Sequence, residues 1–210
     1  MPHDVYAVGN ALVDIQAQVD DALLAKLAFE KGVMTLVDDE RQAGVLDNFD
    51  LPKLHRCAGG SAANTIAAVA DFGGKVAFVG KIGDDETGEF FLKDLRALGV
   101  TIDIDPLAGS PTGTCAVLIS DDAERTMLTN LGASAKLSEV DIDESAVIDA
   151  KYIYIEGYLF AGEDTKAAAY RAIDYAVKNK IKIAFTASDP FLVNMIREEI
   201  WDLIRGPVDL

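Results

Sequence analysis

The stretch Cys57-Ala-Gly-Gly-Ser-Ala-Ala-Asn-Thr-Ile-Ala-Ala-Val-Ala-Asp-Phe-Gly-Gly74 constrains the chain more than any other. Gly59 and Gly60 lack a Cβ, so the backbone there tolerates φ > 0 and close approach by a ligand. Ser61 is a good N-cap for the alanine-rich helix former Ala62 to Ala70. Gly73-Gly74 is placed to end that helix as C′ glycines do. Ala63, Ala67 and Ala70 share one helical face, which suits close packing on a sheet. Free N–H groups and the positive dipole end would face whatever lies against Gly60 and Ser61. These glycines by themselves fit a tight turn into a buried helix as well as a ligand cradle.

The flanking patterns set the fold class. Val5-Tyr-Ala-Val-Gly9 and Val76-Ala-Phe-Val79 are short apolar runs of the buried parallel-strand type. Ile15 to Val19 alternates apolar and polar residues, as a half-exposed strand does. Asp20 to Phe29, Asp39 to Phe49 and Thr87 to Leu98 read as helices, the last with Phe90, Phe91, Leu95 and Leu98 inside and Gly99 closing it. Val33 to Val37, Thr101 to Ile104, Thr114 to Ile119 and Thr126 to Thr129 read as short strands. The last three are expected to pair antiparallel beside the earlier ones, with Asp121 to Glu124 as a turn. From Ser138 helix and strand alternate: a helix to about Asp149, the strand Tyr152 to Ile155, a long helix Glu163 to Asn179, the strand Lys182 to Phe185, and a helix from Pro190 to about Arg205. Pro207-Val-Asp-Leu210 reads as the opening of another strand. This order predicts an α/β fold, a mostly parallel sheet flanked by helices with a small β-rich appendage.

Charge and cysteine content narrow the function. Asp plus Glu number 35 against 19 Lys plus Arg, a formal charge of −16. Such a surface repels nucleic-acid backbone and anionic membrane, so the expected partner is a small molecule. Cys57 and Cys115 form no CxxC pair, and no apolar leader follows Met1-Pro-His-Asp4. The expectation is a cytoplasmic protein with free thiols. His3 and His55 are the only histidines, too few for a multi-histidine metal site or a serine–histidine triad.

Other nucleotide motifs fail on inspection. Gly83-Asp-Asp-Glu-Thr-Gly88 has P-loop glycine spacing, but Glu89-Phe90 replaces Lys-Ser/Thr. The first strand leads into Gly-Asn-Ala-Leu-Val-Asp14 rather than GxGxxG. Asp84, Asp85 and Glu86 suit a helix N-terminus better than a metal. Asp14 lies beyond the carboxyl end of that strand, where open α/β sheets bind ligands. It could accept hydrogen bonds from a vicinal diol, or be a solvated loop aspartate. Glu156 holds the same kind of position after its own strand, and Asn64 sits on the first turn of the glycine-motif helix.

The ordered series Gly59-Gly60-Ser61-Ala-Ala-Asn64, Val79-Gly-Lys-Ile-Gly83-Asp-Asp85 and Gly88 resembles the first signature of the ribokinase (pfkB) family of carbohydrate and nucleoside kinases. Pro111-Thr-Gly-Thr-Cys-Ala116 and Arg125-Thr-Met-Leu-Thr-Asn130 look like its adenosine-kinase branch. The resemblance implies that residues 1–210 form an incomplete ribokinase-like domain, with a lid of roughly 11–37 and 100–130. It places Asn10, Asp14, Gly60, Ser61 and Asn64 along a sugar, and Leu36, Cys115 and Met127 near a base. Met34 stands where animal-type adenosine kinases carry an amide that reads adenine. Glu156 matches an acidic sugar contact of ribokinases, whereas animal-type adenosine kinases have an aromatic residue there. The family's second signature, Asp-Thr-x-Gly-Ala-Gly-Asp, is not among these residues, so its catalytic aspartate is expected beyond residue 210. No metal ligand is expected within the chain.

The resemblance thus implies ATP-dependent phosphoryl transfer to a hydroxyl of a nucleoside, adenosine favoured, with the 210 residues carrying the substrate-binding half. Its cofactors would be ATP and Mg, with a monovalent cation as a further candidate. The runner-up is a fructose- or ribose-type sugar kinase, and a third reading is a non-catalytic binding protein or inactive fragment. A monomer or a homodimer through the lid is expected.

Overall fold

The computed structural model describes residues 2–210. A five-stranded parallel sheet runs in the order β10-β9-β1-β5-β6, with β1 (His3–Val8) at its centre, β5 (Val76–Val79), β6 (Thr101–Ile102), β9 (Ala150–Glu156) and β10 (Lys182–Thr186). Alternation along β1 and β5 divides the core. Tyr6, Val8, Ala77 and Val79 face α6 (Glu163–Asn179) through Ala168, Ala169, Ala172 and Ile173. Ala7, Val76 and Phe78 face α3 (Ser61–Asp71) and α4 (Glu86–Ala97). Both faces are covered, which is why the strands read as continuous apolar runs.

A second, mixed sheet runs β3-β8-β7-β2-β4, from β3 (Met34–Leu36), β8 (Arg125–Asn130), β7 (Gly113–Ser120), β2 (Leu12–Val19) and β4 (His55–Gly59). Its outer face (Ala17, Val19, Ala116, Leu118, Leu128) packs on Leu23, Leu24 and Leu27 of α1 (Asp21–Leu27) and Val45 of α2 (Asp39–Leu46). Its inner face is turned toward the parallel strand ends. The β7–β8 hairpin is antiparallel as expected, but β2 pairs with β7 in parallel. Thr101–Ile102 pairs with β5 in the main sheet instead of joining the antiparallel group. The reason is α4, which serves as the crossover between β5 and β6. Sequence also passed over β4, an edge strand with exposed His55 and Arg56.

Local chemistry explains the helix ends. Gly73 adopts φ +86°, Gly73 N donates to Ala70 O and Gly74 N to Val69 O, a Schellman termination of α3. At its start the N-cap is Gly60 at φ +98°, not Ser61, which is already helical. The buried face of α3 is Ala62, Ala63 and Ile66, shifted from the one expected. Gly99 ends α4, leaving Leu98 43 % exposed, outside the core it was expected to join. The helix expected from Ser138 is divided: the Ser138–Asp141 capping box opens a 3₁₀ turn, Ile142 is extended, and Asp143 caps α5 (Glu144–Ile148). Asp189 and Pro190 start α7 (Pro190–Met195), and Ile196 leaves helical geometry before α8 (Arg197–Arg205). Asp209 and Leu210 donate to Ile183 O, and Leu210 O accepts from Phe185 N, so this segment lies along β10. No helix among the described residues is long and apolar enough to cross a membrane.

Candidate functional site

Residues in register across a sheet point to the same side, so the mixed sheet presents its inner face in rows. One row is Cys57, Asp14, Cys115, Thr129 and Leu36; the next holds Gln16, Val117, Met127 and Met34. These rows roof a cavity of about 250 Å³ over the ends of β1, β9 and β10. All nine candidates line it: Asn10, Asp14, Gly60, Ser61, Asn64, Glu156, Leu36, Cys115 and Met127. Also lining it are Leu12, Arg125, Leu131, Tyr158, Ser188 and Phe191, none of which sequence singled out as site residues. Period-2 spacing could have found Arg125, which shares a face of β8 with Met127 and Thr129. Tyr158, Ser188 and Phe191 follow β9 and β10 and arrive through the sheet order alone.

The polar end is built by close approach of backbone. A Cβ at Gly59 would lie 2.2 Å from Asp14 Oδ1, and one at Gly60 would lie 2.4 Å from Asn10 O. At Gly60 the neighbour is backbone and φ is positive, so glycine is required there; at Gly59 a side chain would have to displace the Asp14 carboxylate. Asp14 accepts no hydrogen bond from the described residues, and burial pushes its carboxyl up to about 6, with Arg125 pulling the other way. Ser61 Oγ is buried without a hydrogen-bond partner. It lies near enough to Glu156 to favour the charged carboxylate, yet outside hydrogen-bond geometry. A buried hydroxyl without a partner and an unpaired carboxylate, both lining one cavity, form a polar surface lacking its complement.

Glu156 is 1 % exposed and bonded inward. Its carboxylate accepts from Asn10 Nδ2 at 2.7 Å and from Ala62 N at 3.0 Å. Burial pushes this carboxyl up, and the bonds from Asn10 and Ala62 oppose that. Cys115 receives a bond from Thr129 Oγ1 at 3.4 Å, and burial pushes its thiol up to about 12, so it packs as a small apolar group. Across the cavity, Ser188 takes φ +67° and its Oγ accepts from Tyr158 N at 3.2 Å. Thr112 ties the base of β7 to the main domain: its N and Oγ1 both donate to Asp85 at 2.7 Å.

A cavity at the carboxyl ends of a parallel sheet, roofed by a mixed sheet, lies where α/β folds of this class bind ligands. The chain belongs to the pfkB family of carbohydrate kinases, whose model matches residues 33–208. It is 27 % identical to adenosine kinase 2 of Arabidopsis thaliana over 198 residues, 91 % of this chain and 56 % of that protein. It is 26 % identical to guanosine-inosine kinase of Escherichia coli K12 over 200 residues, 90 % of this chain and 46 % of that one. The crystal structure of adenosine kinase from Sinorhizobium meliloti superposes with a TM-score of 0.94 at 38 % identity, over all of this chain and 64 % of that one. The chain therefore spans about half the length of these curated relatives.

Proposed function

We propose that the chain is the acceptor-binding portion of a kinase that transfers the γ-phosphoryl of ATP to a hydroxyl of a nucleoside, with adenosine the favoured acceptor. The observation that carries this reading is the pairing of Asp14 and Ser61, a carboxylate and a buried hydroxyl without hydrogen-bond partners, with an apolar roof. Asp14 accepts from two neighbouring sugar hydroxyls, with Ser61, Asn64 and Asn10 completing the polar end. Met34, Leu36, Val117, Met127 and Leu131 offer the flat apolar surface that a purine ring needs. Relatives named adenosine kinase and guanosine-inosine kinase support a purine nucleoside over a free sugar.

ATP with Mg would supply the phosphoryl group. Among the described residues no cluster of three or more His, Cys, Asp or Glu is placed to hold a metal. Arg125 is the one cation among the cavity-lining residues. These residues do not make up a triphosphate–magnesium site, so the role assigned to them ends with the acceptor: binding it, orienting its hydroxyl and excluding water. Residues 1–210 by themselves are then a binding unit without turnover. The test is calorimetry of the chain with adenosine, inosine and ribose, beside an assay of ATP consumption. Adenosine binding that exceeds ribose binding, without ATP turnover, is expected. Binding of none of the three would overturn the reading.

A further inference from the structure

Glu156 is the one acidic residue of the cavity wall whose oxygens are turned into the protein. Oε1 accepts from Asn10 Nδ2 at 2.7 Å and from Asn10 N at 3.5 Å, while Oε2 accepts from Ala62 N at 3.0 Å. Asn10 is itself 4 % exposed, and its Oδ1 accepts from Ser134 Oγ at 2.7 Å. Its amide is thus gripped at both ends. Turning it over would set Oδ1 against the carboxylate, acceptor against acceptor, so one orientation is enforced. The second Nδ2 proton and the second Oδ1 lone pair are the groups left for a ligand.

Ala62 is the second residue of α3, so the same carboxylate occupies the helix N-terminus that Gly60, without a side chain, leaves uncapped. Gly9 makes the approach feasible, since a Cβ there would lie 2.7 Å from Glu156 Oε2 and 2.4 Å from Ala62 Cβ.

We infer that Glu156 is a positioning residue that acts on the acceptor through Asn10, fixing the Asn10 amide and closing the start of α3, and is not itself a ligand contact. This rests on the acceptor reading above and refines it. An acid in direct contact with a sugar needs a free, presented oxygen. Here the side chain is 1 % exposed and its oxygens are turned to Asn10 and the start of α3 rather than presented to the cavity.

The test has a ligand-free arm and a binding arm. In the ¹⁵N-labelled chain without ligand, the two Asn10 Nδ2 protons should resonate far apart, one shifted downfield and slow to exchange. Glu156→Gln should collapse that separation and speed exchange about tenfold. An unchanged Asn10 amide would overturn the inference. In the binding arm, with adenosine as probe, Asn10→Ala and Glu156→Gln should each weaken affinity about tenfold. The double variant should then lose about tenfold as well, because the second change acts through a group already removed. A loss near a hundredfold would show independent contacts and overturn it.

Should Glu156→Gln fail to fold, Ser134→Ala leaves the carboxylate in place and frees the other end of the same amide. It should speed Asn10 exchange severalfold, and an unaltered signal there also refutes the grip. Failure of the parent chain to bind adenosine would count against the acceptor reading, while the ligand-free amide signal still decides the role of Glu156.

Discussion

Replacing Asp14 with asparagine should stabilise the fold and weaken acceptor binding. The Asp14 carboxyl is raised from 3.8 to about 6 by burial. Each tenfold change in ionisation is worth about 1.4 kcal/mol, so holding this carboxylate charged at neutral pH costs the fold roughly 3 kcal/mol. Asparagine has nearly the same shape and no charge, but its buried amide retains a desolvation cost of about 1 kcal/mol. A net gain of about 2 kcal/mol follows, which for a chain of this size raises Tm by about 4–8 °C. The sign of the pH dependence is definite. A carboxyl whose folded pKa exceeds its unfolded value gives most stability below the unfolded value, and loses it as pH rises from about 4 to about 6. Asp14→Asn should erase that decline. The same change removes charge-assisted acceptors worth about 1.5–3 kcal/mol each, so adenosine affinity should fall about a hundredfold or more. In the parent chain, affinity should be full above pH 6 and fall as the carboxylate is protonated below it. Thermal melts and calorimetric titrations from pH 4.5 to 8 test both halves. A variant that melts lower than the parent at pH 7.5, or that binds adenosine equally well, would refute the reasoning.

Three further changes probe the frame around the cavity. Gly60→Ala forces a side chain onto φ +98° with its Cβ 2.4 Å from Asn10 O, and should cost roughly 3 kcal/mol, read from the urea midpoint. Arg125→Gln removes the charge that holds the Asp14 carboxyl down, so the pH midpoint for adenosine binding should move upward; no movement would separate the two residues. Asp85→Ala deprives Gly88 N, Thr112 N and Thr112 Oγ1 of their acceptor and should cost about 2–3 kcal/mol in a denaturant titration. Burial raises the Asp85 carboxyl, but bonds from Thr112, Gly88 and Thr87 outweigh that and hold it below 3.8. Its stabilisation is therefore present above the unfolded value and lost as pH falls below it, a dependence the alanine variant should lack.

Elements with strong local chemistry were legible in the sequence. The helix Glu163–Asn179 agrees residue for residue, and Gly73-Gly74 terminates α3 as its glycines required. Asn10 and Glu156 were legible because they stand at strand ends of the parallel sheet, a position that itself points to ligands. Asp14, read as lying just beyond the first strand, is instead part of β2 in the mixed sheet. What escaped depends on partners distant in sequence. His55–Gly59 is a strand only because Asp14 and its neighbours lie beside it. The parallel pairing of β2 with β7 joins segments a hundred residues apart, and no local pattern reports it. Phe191 and Ser188 reach the cavity because β10 lies beside β9, and their own segment reads as an ordinary capped helix start.

The glycine motif offered two readings, a tight turn or a ligand cradle, and the structure joins them through two carboxylates. Burial raises both Asp14 and Glu156, so both charges are costly to the fold. They differ in what surrounds the oxygens. Glu156 rests where Gly9 leaves room and meets the start of α3 and the Asn10 amide, so its charge is matched from within the protein. Asp14 rests against Gly59, meets no donor and faces the cavity, so its charge is unmatched until something arrives. The glycines bring no chemistry of their own. They clear the space in which one carboxylate is held by the protein's own donors and the other is left facing the cavity. An acid retained at a cost to stability, without a structural partner, is the residue most readily explained by what binds there.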